Sequence, residues 1–177
     1  MKLNHKGFTL IELLGVLVIL SVIMLIAVPN VMSIMDRNKK DIYIADAKKL
    51  VTMAEYAIRS DTSIPLPSPT EIIVLPLKFI TNGDLLTDPD GNKYSEIDSY
   101  VAINKKNGFD EYYVNLVGIS PKGNNRGVYL TKIDDINSLD SSRYKKIIKD
   151  MDLTKGNNIA KVICGSTTCK SVRTYNK

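Results

Sequence analysis

The chain has 177 residues, a formal net charge of +5 from 24 Lys and Arg against 19 Asp and Glu, and a single histidine, His5. That length allows about one domain beyond any membrane segment, and the mild, scattered positive charge describes a solvated surface rather than a face for nucleic acid. One histidine in a basic N-terminal stretch excludes Ser-His-Asp and Cys-His nucleophiles and histidine metal sites; the carboxylates are spread through turns and polar faces, so neither an enzyme nor a cofactor is expected.

The first element carries the most information. Lys2, His5 and Lys6 precede Gly7, and the 23 residues from Leu13 to Met35 carry no charge, enough to span a bilayer as a helix. Glu12 stands at the start of that run, where an acid is costly and needs a partner. A secretory signal places its small-residue cleavage site after an apolar core of about 7–15 residues. Here the core is too long, AVPNVMSIMD offers no A-x-A site, and the small residue, Gly7, comes before the core. Cleavage after Gly7 removes residues 1–7 as a leader, leaves 22 basic and 19 acidic side chains, and creates a new amine on Phe8. Within one helix that amine lies more than a turn from Glu12, whereas an adjacent, axially shifted copy brings amine and carboxylate together. Buried pairs of this kind set register more than they add raw stability. The expectation is a subunit that assembles through its own N-terminal helix. Lysines ahead of the span place that side in the cytoplasm and the C-terminal domain outside.

The stretch KGFTLIELL resembles the type IV prepilin signal, a class III signal peptide: Gly before the cut, Phe first in the mature chain, Thr, an aliphatic pair, Glu fifth, then the apolar helix. The resemblance is specific from about Lys6 to Met35 and looser to about Ser60. It implies that Gly7 is read by a prepilin peptidase, that Phe8 becomes N-methylphenylalanine, and that Glu12 is the assembly carboxylate. Pro29 matches a proline found in many pilin helices; where many members carry a glycine this chain has Ser21, and its own glycine is Gly15. The implied role is structural: a type IV pilus subunit polymerised into a surface filament for adhesion, motility or DNA uptake. Its implied partners are further copies of itself, the peptidase, an assembly platform with its ATPase, and other minor pilins. The implied locations are the cytoplasmic membrane before assembly and the cell surface after it. A pseudopilin of a type II secretion-like or competence system is the alternative within the superfamily. A single-pass membrane-anchored binding domain is the alternative of another class, and it leaves Glu12 without a purpose.

Residues 8–35 are thus read as the transmembrane and assembly part of one helix, and 36–60 as its amphipathic continuation. Pro29 lacks an N–H and is expected to kink the helix. After Met35 the sequence switches to DRNKKD, the outer edge of the bilayer. Ala47, Leu50, Val51, Ala54, Ala57 and Ile58 then recur at spacings of three and four, a stripe on which a sheet packs. Prolines in DTSIPLPSPT end the helix, and residues 61–177 form the extracellular head. EIIVLPLKFITNG is read as a short helix over Leu75–Ile80 capped by Gly83, with a strand as the alternative. TDPDGNKY is a tight turn. Tyr100–Asn104 and Phe109–Val117 form a hairpin through Asn107-Gly108, and Gly127–Lys132 is a third strand. Ser141–Met151 reads as a short helix and Ile159–Cys164 as a fourth strand. The fold class is α+β: a long N-terminal helix packed on a small antiparallel sheet, pilin-like.

Three further groups are candidates. Cys164 and Cys169 can close a small surface loop as a disulfide outside the cytoplasm or remain two thiols; many pilins close a loop near the C-terminus with a disulfide, often a larger loop than this one. Asp88, Asp90 and Asn92, with Glu96 and Asp98, alternate oxygens as calcium loops do, and related pseudopilins bind calcium. The glycine and the closing acid are misplaced for such a loop, however, and the turn explains these residues without metal. Tyr100, Tyr112, Tyr113 and Tyr129 are read as alternating between sheet core and surface, with an adhesive surface as the other reading.

Overall fold

The structure is a computed structural model that describes residues 9–81, 87–138, 147–151, 158–165, 169 and 171–175. The chain divides into two compact units, Met1–Asn38 and Lys39–Lys177. Helix α1 covers Leu10–Ser60, with Pro29 inside it.

In the first unit every large apolar side chain from Leu10 to Met35 is exposed, as expected of a surface made for lipid or for other helices. This helix is long and apolar enough to cross a membrane. The polar side chains in the run turn back onto their own helix: Ser21 donates to the Leu17 carbonyl at 2.7 Å, Asn30 to Ile26 at 3.0 Å and Ser33 to Asn30 at 2.9 Å. Such internal satisfaction is what hydrocarbon demands of a polar group.

In the second unit Tyr43, Ile44, Ala47, Leu50, Val51 and Ala54 of α1 are buried, and Ala57 and Ile58 pack against the same core. The expected stripe is present and begins one turn earlier, at Tyr43, which falls in the same helical period. The strands are β1 (Glu71–Pro76), β2 (Lys93–Tyr94), β3 (Tyr100–Lys106), β4 (Phe109–Ile119), β5 (Arg126–Lys132), β6 (Ile148–Asp150) and β7 (Ser171–Thr174); the short helices are α2 (Leu77–Thr81), α3 (Ile133–Ser138) and α4 (Ile159–Cys164). The sheet order is β6-β5-β4-β3-β1-β7, with β2 pairing the end of β4. The expected hairpin joins β3 and β4 with Lys106 opposite Phe109. Its turn residues Asn107 and Gly108 have φ of 54° and 85°, the left-handed region that an Asn-Gly pair accepts readily.

One sheet face packs Ile73, Leu75, Val101, Ile103, Val114, Leu116 and Val128 on α1. The other face, built on Ile72, Val74, Tyr100, Ala102 and Leu130, is covered by Ile159, Ala160, Ile163 and both cysteines. This second layer corrects the strand expected at Ile159–Cys164, which is α4. Asn158 caps the helix by accepting from the Lys161 N–H at 3.1 Å, and residues 159, 160, 163 and 164 make one helical face.

The region expected to be helical over Leu75–Ile80 is strand β1 as far as Pro76 and helix α2 only from Leu77; Gly83 lies outside the described residues. β1 sits between β3 and β7 and is buried on both faces, so its apolar run shows no period of two. Of the helix expected over Ser141–Met151, residues 141–146 lie outside the described residues. Ile148–Asp150 form β6, recruited by the open edge of β5. The expected antiparallel sheet is mixed, because β7 pairs parallel with β1, Glu71 opposite Ser171.

Gly127 sits where β5 closely approaches the β4 backbone. A Cβ there meets the Leu116 carbonyl group, with the Val117 Cα 3.0 Å away. These are backbone atoms that cannot rotate aside, so Gly127→Ala is expected to destabilise the second unit by about 2 kcal/mol, read as a lowered thermal midpoint of the detergent-solubilised chain.

Candidate assembly site

At the start of α1, Glu12 already has a partner in its own chain. The Thr9 N–H and the Thr9 hydroxyl each donate to Glu12 Oε2 at 2.8 Å, and the Glu12 N–H donates to Thr9 Oγ1 at 3.3 Å. This is a reciprocal capping box: Thr9 is the N-cap, and Glu12, three residues on, closes it. The box answers two of the amide groups that any helix leaves open at its first turn. The reading from sequence missed it, although the signal Thr-x-x-Glu was present. Neutral donors hold the carboxylate without neutralising its charge. Gly7 and Phe8 lie outside the described residues; Pro29 lies in the exposed apolar part of α1.

The second unit carries a polar cluster where α1 meets the turn after residue 87. Asp88, 5% exposed, accepts from the Asp90 N–H at 2.9 Å and the Asn92 N–H at 2.7 Å on Oδ1. On Oδ2 it accepts from the Tyr43 hydroxyl at 2.9 Å and the Asn92 amide at 3.3 Å. Asp90 accepts from Lys39 at 2.9 Å and lies 3.0 Å from the Tyr43 hydroxyl and 3.8 Å from Arg126. The single Tyr43 proton is therefore shared between two carboxylates. Burial pushes the Tyr43 hydroxyl pKa well up, and the Asp88 and Asp90 carboxylates push it further. Burial raises the Asp90 carboxyl as well, but Lys39, Tyr43 and Arg126 outweigh it and hold that group below its usual range. The calcium candidates Asp88, Asp90 and Asn92 are thus brought together, with their contacts directed at α1 and at the turn's own backbone. Among the described residues no group of three or more His, Cys, Asp or Glu is gathered as a metal set.

Cys164, the last residue of α4, is disulfide-bonded to Cys169, their Cα atoms 5.9 Å apart. The bond closes the connection between the layer on the second sheet face and edge strand β7. Tyr175, just beyond β7, donates its N–H to the Val74 carbonyl at 2.8 Å. Its hydroxyl lies 2.9 Å from that of Ser63, and its ring meets Phe79 edge-on at 5.5 Å. Of the tyrosines weighed as an adhesive surface, Tyr100 is buried, and Tyr112, Tyr113 and Tyr129 are half-buried against the two core clusters.

Comparison with known proteins bears on the N-terminus. The family model for the prokaryotic N-terminal methylation motif matches residues 2–28, so the chain carries the class III signal peptide of type IV pilins. No curated protein and no solved structure matches the chain. The motif supports a type IV pilin or pseudopilin-like precursor, a structural class rather than an enzyme family. Together with the exposed apolar helix it fits a membrane-anchored precursor that becomes part of a surface filament.

Proposed function

We propose that this chain is a structural subunit of a type IV pilus, cut after Gly7, N-methylated on Phe8 and polymerised through residues 8–35. The observation that carries the reading is the coincidence of the methylation motif with an apolar helix whose side chains are all left exposed and whose first turn holds one carboxylate. An anchor needs the helix and can use Glu12 as the partner of its Thr9 cap, but a neutral glutamine would serve that cap equally and an anchor gains nothing from the charge. A polymer uses both, because exposed apolar faces pack on one another and Glu12 fixes the axial register against a neighbour's Phe8 amine. The lipid already accepts the apolar side chains, so the net drive comes from helix packing, the Glu12 pair and energy from a separate assembly ATPase. In this reading the N-terminus faces the cytoplasm, the second unit is exported, and Pro29 helps the helix adapt in the filament. The Cys164–Cys169 bond pins the C-terminal edge of the head.

The test is the N-terminal sequence and mass of protein sheared from the cell surface. A start at methylated Phe8 is expected. An intact Met1, or a start after Ala27, contradicts the proposal.

A further inference from the structure

Two polar side chains stand at the ends of one apolar seam on α1. Eighteen residues separate Glu12 from Asn30, about five turns of an α-helix, so both project from the same side of α1. Val16, Ile19, Ile23 and Ile26 fill the seam between them, and all four are exposed.

Asn30 is only half satisfied within its own chain. Ser21 and Ser33 have one hydroxyl proton each and give it to their own helix. A carboxamide has two N–H groups and an acceptor oxygen, and the bond from Asn30 Nδ2 to the Ile26 carbonyl, at 3.0 Å, uses one N–H. In hydrocarbon the second needs an acceptor. The residue before it creates one: Pro29 lies inside α1 and has no N–H, so the Leu25 carbonyl, four residues back, loses its helical donor. Asn30 reaches the Ile26 carbonyl of its own chain, not that of Leu25. Each copy therefore carries a donor and an acceptor, close together, that do not serve each other.

We infer that Asn30 donates its second N–H to the Leu25 carbonyl of an adjacent copy, a second register contact on the face that carries Glu12. The Glu12–Phe8 pairing proposed above shifts one copy by about four residues, ~6 Å along the axis. That same shift sets Asn30 beside residue 26 of the neighbour, next to its open Leu25 carbonyl. An unshifted pair instead sets Glu12 against Glu12, two like charges in apolar surroundings. A single asparagine in an apolar seam is a known means of fixing register, and the modest strength of such a bond between membrane helices suits selection of register among helices already packed. Because donor and acceptor are different groups of the same chain, the contact is heterologous and passes from copy to copy. It rests on the filament reading above.

The experiment is a cysteine pair, Ile26→Cys with Asn30→Cys, in the full chain, oxidised in sheared filaments. The native cysteines are already bonded to each other. A ladder of cross-linked multimers is expected from the double variant, none from either single variant, and none from detergent-dispersed subunits. Normal filaments in which the double variant stays monomeric overturn the inference and leave the filament reading intact, as do cross-linked dimers from Asn30→Cys alone, which put Asn30 against Asn30. Absence of filaments from the unmodified chain overturns the filament reading instead. Should the double variant not assemble, filament recovery from other variants decides. Asn30→Leu is expected to lower recovery several-fold and Asn30→Gln, which keeps the amide, to restore most of it; equal recovery from both and the unmodified chain overturns the contact. Pro29→Ala returns an N–H to the Leu25 carbonyl, so adding Asn30→Leu to it is expected to cost nothing more. A further several-fold loss in that double variant shows that Asn30 acts elsewhere and overturns the inference.

Discussion

Glu12→Ala is expected to be cleaved after Gly7 as efficiently as the unmodified chain while lowering the filament recovered by shearing about tenfold or more. In the proposed reading the cut precedes the apolar helix and Glu12 is the fifth residue beyond it, so processing and assembly separate at this position. The structure adds a complication, because Glu12 also closes the capping box with Thr9. Its loss frees the Thr9 N–H and loosens the first turn of α1, so a weak filament could reflect a frayed helix instead of a missing charge. Glu12→Gln separates the two effects. The glutamine carbonyl still accepts from Thr9 and keeps the box, but it carries no charge for a neighbour's amine. If the charge sets the register, Glu12→Gln assembles as poorly as Glu12→Ala. If the cap alone matters, it assembles like the unmodified chain, and the pairing with Phe8 is wrong. Precursor and mature bands in whole cells, beside the sheared fraction, give both readouts from one immunoblot.

Glu12 carries two signals of different kinds, a charge anomaly and a helix cap. The charge anomaly was legible because an acid beside an apolar run is unusual on its own terms. The cap is written in the same four residues, Thr9 to Glu12, as a Thr-x-x-Glu signature that concerns only the helix's own first turn. Farther along, the helical stripe, the β3–β4 hairpin and the β5 strand were legible because each is a local pattern: a period of three and four, an Asn-Gly turn, a run of β-branched and aromatic residues. The elements that escaped depend on distant partners. β7 is four residues, all exposed, and has no apolar signature; it is a strand because the edge of β1 accepts it in parallel. β6 follows the free edge of β5 in the same way. For α4 the apolar letters IAKVIC suit a strand, and what decides otherwise is the second sheet face waiting for Ile159, Ala160 and Ile163. That face could not be foreseen while the sheet was expected to use only one side. The Phe79–Tyr175 contact was illegible for the same reason, since the two rings meet only once β7 has docked.

Asp88→Ala is expected to be the most damaging single change in the second unit, costing about 3 kcal/mol. The Asp88 side chain accepts four hydrogen bonds, two of them from backbone N–H groups that have no other acceptor in the turn. Gly118 belongs to the same fit: a Cβ there would land on the Asp88 carboxylate, so nothing on β4 can move in to replace the lost oxygens. Removing the carboxylate leaves buried donors unmatched, and that costs more than the net value of the bonds themselves. The Tyr43 hydroxyl, still donating to Asp90, recovers only part. Asp88→Asn, which keeps one acceptor oxygen, should fall between the alanine variant and the unmodified chain in thermal midpoint. Acid gives an independent check. Asp90 titrates below its usual range in the folded unit, so its contribution is complete above the unfolded carboxylate pKa and is lost as the pH falls through the lower folded value. Tyr43 works at the other end, its folded pKa raised above the ordinary 10.0; its contribution is complete below that value and declines as the pH rises past it. The thermal midpoint should therefore decline at both extremes, with Asp90→Asn flattening the acid limb and Tyr43→Phe the alkaline one. Unchanged limbs in both variants would mean that the cluster holding α1 to the turn contributes little to stability.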